Sequence, residues 1–310
     1  MKPCLLVLIP LKDASRASIA EAFDVIYAPD PAARAAAIAS HGATVRVVLT
    51  NGTTGLEAAE IDQMPKLEFV SALGAGYENL ALDHARARHI VLVNGAGTNA
   101  HCVADHAFAL LLAVVRDVVQ LDQATRQGAW RDTLPMHPNV SGKRLGILGL
   151  GSIGQKVARR GAGFEMELGY HNRKPREGEP MRYFESARAL AEWCDFLVIT
   201  TPGGAGTRHL VDAAVLEALG PDGFVVNVSR GSVVDTAALA TALRAGTIAG
   251  AGLDVYEGEP HLPQALLELR NLVVTPHVGG RSPEAITASV QHFLANAARH
   301  FAGEKVLTPI

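Results

Sequence analysis

Short runs rich in Val, Ile and Leu alternate with helix-forming stretches almost from one end of this chain to the other. No feature constrains the fold more. Such runs lack the polar/apolar alternation of a half-exposed strand, so they suit a parallel sheet whose two faces are both covered by helices. The first series is CLLVLI, DVIYA, VRVVLT, LEFVSA and IVLVN, with the helical candidates ASRASIAEAF and AARAAAIASHG between its members. Pro31 suits the first turn of the second candidate. The second series is RLGILGL, MELGYH, FLVIT, FVVNVS, IAGAGLDV and LVVTPH, six strands with room for crossover helices.

The join between the series, NGAGTNAHCVADHAFALLLAVVR, has glycines and asparagine at residues 94–99 and then a helix. Its apolar face includes Val103, Ala107, Leu110, Leu111 and Val114. A hinge is expected just before that helix. A last helix over residues 283–301 carries Ile286, Val290, Phe293, Leu294 and Ala297 at helical spacing and is expected to pack back on the first unit. The expected domains are therefore 1–98 with 285–310, and 99–284.

At 310 residues with 48% hydrophobic and 19% charged residues, the chain can build two cores. A net charge of −3 gives no global basic field, so neither nucleic acid nor an anionic membrane is an expected partner. No apolar run approaches the roughly 18 residues of a membrane span; the longest candidate is AFALLLAVV, and MKPCLLVLIPLKD reads as a buried first strand. Cys4, Cys102 and Cys194 lie far apart, with no CxxC pair and no zinc-ligand spacing. That pattern suits a reducing cytoplasm and predicts no metal site.

The second series opens on LGILGLGSIG, in which Gly149, Gly151 and Gly154 follow an apolar strand and precede a helix. In that context GxGxxG marks a dinucleotide site. The first glycine allows the turn, the second lets backbone approach a pyrophosphate, and the third lets helix and sheet close up. A plain packing turn is the alternative. An NAD site usually offers an acidic residue about 20 positions on, for the ribose hydroxyls. Asn172 stands there instead, followed by Arg173 and Lys174, with Arg176 just beyond. Without a carboxylate to repel it, a 2′-phosphate can be bound by these cations, which favours NADPH/NADP and leaves NADH/NAD as the alternative. A solvated basic turn would look the same.

Polar residues also follow the later strands: Arg230 in FVVNVSRGSVVD, Asp254 and Glu259 in AGLDVYEGEP, and His277 in LVVTPHVGG. An arginine can clamp a carboxylate and polarise a neighbouring carbonyl. A histidine can give the proton that a carbonyl oxygen needs as hydride arrives, and a glutamate on its other ring nitrogen would orient it. Together these make a reductase of 2-oxo acids. Singly, each has a plain alternative: an ion-pair partner, a turn stabiliser before Pro260, a histidine satisfied at a strand end.

Over essentially its whole length the chain resembles the D-isomer-specific 2-hydroxyacid dehydrogenases. The resemblance rests on LGILGLGSIG with LGYHN, and on FVVNVSRGSVVD, GLDVYEGEP and TPHVGG. It implies an α/β, two-domain protein with doubly wound parallel sheets, a Rossmann dinucleotide-binding domain beside a flavodoxin-like substrate domain. It makes Arg230 the substrate-binding arginine, Glu259 the partner of His277, and His277 the acid/base. Asp254 is placed near the nicotinamide. Further cofactor contacts are implied for Ser152, Ile153, Thr201, Pro202, Val228, Ser229 and Gly279, besides Arg230 and His277 themselves. SALGAGYENLALDHA resembles the substrate loop, so backbone N–H groups around Leu73, Gly74, Ala75 and Gly76 are expected to hold the substrate carboxylate.

Within the family, HNRKP, GAGYEN and GGRSPEA look most like NADPH-dependent glyoxylate and hydroxypyruvate reductases. A homodimer through the cofactor domain is implied. Trp130 is then either an interface anchor or a residue reaching a partner's site, Arg281 either touches the site or serves a hinge, and Cys102 is taken as packing. Two other readings stand beside this one: a reductase of bulkier acids, phenylpyruvate-like or 2-ketoaldonate, and a dinucleotide-sensing binding protein of the same fold.

Overall fold

A computed structural model describes residues 2–310. The chain divides into two units: the first runs to Asn99 and resumes at Arg281–Ile310, and the second is Ala100–Gly280.

The first unit has strands β1 (Cys4–Val7), β2 (Asp24–Tyr27), β3 (Val47–Thr50), β4 (Phe69–Ala72) and β5 (Val91–Asn94). Between them lie helices α1 (Asp13–Ala22), α2 (Pro31–His41), α3 (Ala58–Asp62) and α4 (Leu82–Ala87). All pairings are parallel, in the order β2-β1-β3-β4-β5. The period of two along each strand sends successive residues to opposite faces. Leu5 and Val7 join Val47, Leu49 and Phe69 in one cluster, while Leu6 joins Val48, Val70 and Leu92 in the other. Both faces are buried, which is why the sequence runs are apolar without alternation. Asp30 caps α2 by accepting from the Ala33 N–H at 2.9 Å, and Pro31 occupies the first turn.

The second unit opens with α5 (Ala100–Val115) and α6 (Val118–Arg126). It continues through β6 (Arg144–Leu148), α7 (Ser152–Gly163), β7 (Glu167–His171), β8 (Arg182–Tyr183), α8 (Ala187–Trp193) and β9 (Phe196–Ile199). It closes with α9 (Ala213–Leu219), β10 (Phe224–Asn227), α10 (Thr236–Ala245), β11 (Gly250–Leu253) and β12 (Leu272–Val274). The seven strands are parallel in the order β12-β11-β10-β9-β6-β7-β8. Six of them are the six apolar runs. The seventh, β8, pairs only Arg182 and Tyr183 with β7 and has too few residues for any periodicity to show. Strand order reverses between β6 and β9, the switch point at which open α/β sheets bind ligands. All five apolar positions expected on α5 are buried.

The last helix, α11 (Pro283–Phe301), belongs to the first unit. Ser282 caps it through the Ala285 N–H at 3.0 Å. Val290, Phe293 and Ala297 sit in the cluster with Leu5, Val7 and Ile19, and Phe293 stacks on Phe23 with centroids 5.6 Å apart. Beyond α11, Pro309 pairs antiparallel with Val93 and the Ile310 N–H donates to the Leu92 carbonyl at 3.1 Å. Among the described residues no helix is long and apolar enough to cross a membrane.

Candidate active site

The turn after β6 gathers the ends of three strands. Gly149 has φ +104, and its N–H donates to the His171 carbonyl at 2.9 Å, at the end of β7. A Cβ there would lie 2.6 Å from the Thr201 nitrogen, beyond the end of β9, so only glycine lets these segments meet. Gly151 is the N-cap of α7, with open space where a side chain would stand. Helix geometry leaves the first-turn N–H groups at Ser152, Ile153 and Gly154 without carbonyl partners. An open, side-chain-free helix N-terminus fits a diphosphate in both shape and charge.

The basic turn after β7 splits into two parts. Arg173 and Lys174 are exposed. Asn172 and Arg176 instead turn back onto the glycine loop: Asn172 Oδ1 accepts from the Leu150 N–H at 2.7 Å, and Arg176 Nη1 donates to the Leu150 carbonyl at 2.7 Å. The Arg176 N–H also donates to the Tyr170 hydroxyl at 2.9 Å. Leu150 is thus held at both its backbone groups by the segment expected to meet the ribose.

The third element is the turn beyond β12. His277 has φ +54, a conformation uncommon outside glycine, and its N–H donates to the Asp254 carbonyl at 2.9 Å. The buried Asp254 carboxylate gathers the rest of the turn around itself. Its Oδ1 accepts from the Thr275 hydroxyl at 2.6 Å and the Val278 N–H at 2.9 Å, and its Oδ2 from the Gly279 N–H at 2.8 Å. From α5, His106 Nε2 lies 2.8 Å from Thr275 Oγ1 and 3.3 Å from Asp254 Oδ1. The Asp254 carboxylate is thus committed to the fold of the turn that carries His277.

Glu259 Oε2 lies 2.8 Å from His277 Nδ1, while Oε1 accepts from the Tyr256 N–H at 3.0 Å. Among the described residues nothing hydrogen-bonds the other ring nitrogen of His277, whose side chain is 41% exposed. Partial burial pushes the Glu259 carboxyl up, but the His277 hydrogen bond, the Tyr256 N–H and the His277 charge outweigh it and hold the group below the usual carboxylate range. A carboxylate on Nδ1 and an open Nε2 are what a proton donor of fixed orientation requires.

Arg230 follows β10 on a loop fastened by Asn227, whose Nδ2 donates to the Arg230 carbonyl at 3.0 Å and whose Oδ1 accepts from the Ser229 N–H at 3.0 Å. Its Nη1 donates to the Ser229 carbonyl at 2.6 Å, and its stem packs against Gly203, just past Pro202. The Val228 N–H donates to the Ile199 carbonyl at 3.3 Å, carrying the loop onto the end of β9.

In the first unit, Leu73 cannot offer its N–H to a ligand, because that group donates to the Thr50 carbonyl at 2.8 Å in continuation of the sheet. The half-buried Gly74, Ala75 and Gly76 remain, and among the described residues no acceptor meets their N–H groups. The Gly95 N–H donates to the Gly74 carbonyl and Asn94 Nδ2 to the Ala75 carbonyl, each at 2.8 Å, so these two carbonyls are tied down. Successive free N–H groups form an anion nest.

Thr275 opens the TPHVGG segment and Arg176 follows the basic turn, but no spacing marks their supporting contacts, and His106 and Asn94 carry no motif of their own. Trp130 is 67% exposed, Cys102 is half-buried in α5 and Arg281 is exposed. Burial, with the Asp195 charge, pushes the Cys194 thiol up to about 12, so that sulfur is an inert packing group.

The profile described as D-isomer specific 2-hydroxyacid dehydrogenase, NAD binding domain, matches residues 108–279. The chain is 38% identical over 267 residues to a 2-ketogluconate reductase of Gluconobacter oxydans, covering 86% of each. It is 32% identical to a glyoxylate/hydroxypyruvate reductase A of Arabidopsis thaliana, covering 99% of this chain and 98% of that one. Among solved structures, an NADPH-dependent glyoxylate/hydroxypyruvate reductase of Sinorhizobium meliloti, in complex with NADP and malonate, superimposes with a TM-score of 0.90 at 37% identity. That match covers 100% of this chain and 97% of the other.

Proposed function

The chain belongs to the D-isomer specific 2-hydroxyacid dehydrogenase family and is an NAD(P)-dependent oxidoreductase, and we propose that it reduces a small 2-oxo acid, glyoxylate or hydroxypyruvate, with NADPH as its preferred reductant. One observation carries the reading: His277 is oriented by Glu259 through Nδ1 and keeps Nε2 open, in a unit whose glycine turn fits a dinucleotide diphosphate.

A reduced nicotinamide bound at that turn supplies hydride to the substrate carbonyl carbon. Backbone N–H groups at Ser152, Ile153 and Gly154 take the diphosphate, with Thr201, Pro202, Val228, Ser229 and Gly279 as further contacts. Arg173 and Lys174 take the 2′-phosphate, and Asn172 keeps the glycine loop in register. Arg230 neutralises the substrate carboxylate and polarises its carbonyl oxygen. In the first unit, the N–H row of Gly74, Ala75 and Gly76 is the carboxylate cradle. His277 Nε2 protonates the C2 oxygen, leaving a D-2-hydroxy acid, while Glu259 holds the ring. The exposed apolar residues Val118, Val119, Trp130 and Met136 support a homodimer through the second unit. The three free cysteines support a cytoplasmic setting.

The similarity to a 2-ketogluconate reductase favours a second reading, in which the substrate is a longer 2-keto acid. Initial rates with NADPH and NADH on glyoxylate, hydroxypyruvate and 2-ketogluconate separate the two. An NADPH preference of at least tenfold in kcat/KM on the small acids, about 1.4 kcal/mol of transition-state binding, is expected. A preference for NADH would mean that Arg173 and Lys174 face solvent alone. Turnover of 2-ketogluconate without turnover of the small acids would transfer the proposal to the longer substrate.

A further inference from the structure

The segment 256–259 carries two glutamates, and each meets a histidine from a different part of the second unit. Glu259 meets His277. Glu257 Oε1 lies 2.9 Å from His209 Nε2, and Glu257 Oε2 accepts from the Thr236 N–H at 3.3 Å, at the start of α10. Two more charged groups face this pair. Asp235 Oδ2, on the N-cap of α10, lies 3.6 Å from His209 Nδ1, and the Arg208 guanidinium lies 3.5 Å from Glu257 Oε1.

Three loops meet here. The His209 N–H donates to the Ser232 carbonyl at 2.8 Å, and two residues on Val211 bridges Val234, so the loop after β9 is laced to the loop that carries Arg230. Gly231 stands against the Tyr256 carbonyl, where a Cβ would collide, so the Arg230 loop and the Glu259 segment also touch backbone to backbone. His209 has φ +50, a left-handed conformation that a histidine keeps only where its surroundings fix it. Partial burial raises the Glu257 carboxyl, but hydrogen bonds from His209 and Thr236 and the His209 charge outweigh it, so it remains ionised.

We propose that His209 and Glu257 are a positioning pair: by fastening the 256–259 segment to the loops around residues 209 and 230, they hold Glu259 at hydrogen-bonding distance from His277. Neither touches substrate. The proposal rests on the reading of His277 as proton donor, and its test keeps the two apart.

Wild type, His209→Ala, Glu257→Ala, the double variant and His277→Ala are compared for kcat and KM between pH 5.5 and 9, with NADPH binding followed by fluorescence. Each alanine variant of the pair should lose about tenfold in kcat while NADPH affinity stays within about twofold. The alkaline limb of the kcat profile should move to lower pH. The double variant should be no slower than the slower single one, because both changes release the same fastening. Glu257→Gln, which can still accept from Thr236, should recover part of the loss. Wild-type kcat with an unmoved limb in both single variants overturns the proposal, as does a double variant whose losses multiply. Should the alanine variants not fold, Glu257→Gln and His209→Gln decide: kcat and limb both at wild-type values overturn it, and a partial loss of kcat with a shifted limb upholds it. Activity surviving in His277→Ala would instead overturn the proton-donor reading.

Discussion

The turns after β6 and β12 end two strands of the same sheet, yet they are shaped in opposite ways. The first is made by absence: Gly149 takes φ +104 against the Thr201 backbone, and Gly151 leaves the start of α7 bare. The second is made by presence: a buried carboxylate, Asp254, gathers the Thr275 hydroxyl and the Val278 and Gly279 N–H groups, and bends the chain through His277 at φ +54. The turn after β6 spends the Gly149 and Leu150 N–H groups on the β7 segment and leaves only those at the start of α7 without carbonyl partners. A turn that must aim one side chain spends its N–H groups on an internal acceptor.

The sharpest way to break this contrast is Asp254→Ala. It leaves two N–H groups and a hydroxyl without their acceptor, and stability in urea unfolding should fall by roughly 3 kcal/mol or more. Asp254→Asn, with one carbonyl oxygen left, should recover part of that. A loss under about 1 kcal/mol would mean that the turn is not held by the carboxylate.

Gly149→Ala comes next. Forcing a Cβ into the Thr201 backbone at positive φ costs about 1–3 kcal/mol, so NADPH affinity by fluorescence titration should fall about ten- to a hundredfold. Unchanged affinity would show that the loop tolerates a side chain and that its shape does not set binding.

The smallest effect sharpens the role of Glu259. Its carboxyl is held below the ordinary 4.5 in the folded state, so the stability it contributes is complete above the unfolded value and is lost as pH falls through the lowered folded one. The gap in urea midpoint between wild type and Glu259→Gln should therefore be wider at about pH 5.5 than at about pH 3.5, shrinking as pH falls below about 4.5. A gap independent of pH would detach Glu259 from the charge of His277.

The same contrast explains which parts of the molecule were legible in the sequence. Both sheets were readable because strands buried on two faces write continuous apolar runs, and the glycine turn because a missing side chain at fixed spacing is itself a pattern. The strand–loop positions of Arg230, Glu259 and His277 were readable as well. The hidden features depend on contacts between distant residues. The engagement of Asp254 joins positions 254, 275, 278 and 279; Asn172 and Arg176 turn back onto Leu150; the Leu73 N–H is taken by Thr50. None of these has a period, and each is decided only once strands lie side by side. β8 was lost for a simpler reason, since two residues cannot show alternation.

The return of α11 to the first unit bears on the order in which the chain acquires its shape during synthesis. Phe293 is 1% exposed and fills the space beside Phe23, and Val290 and Ala297 complete the same cluster. Until those residues have left the ribosome, one face of the β1–β5 sheet is covered only in part, by Ile19 and Phe23. The second unit is contiguous and has all its strands once residue 274 is made. Domains commonly fold in the order of their synthesis. Here the half that is translated first is the last whose core can close, and a chain cut after residue 280 would carry one finished unit and one sheet face left partly exposed beside α1.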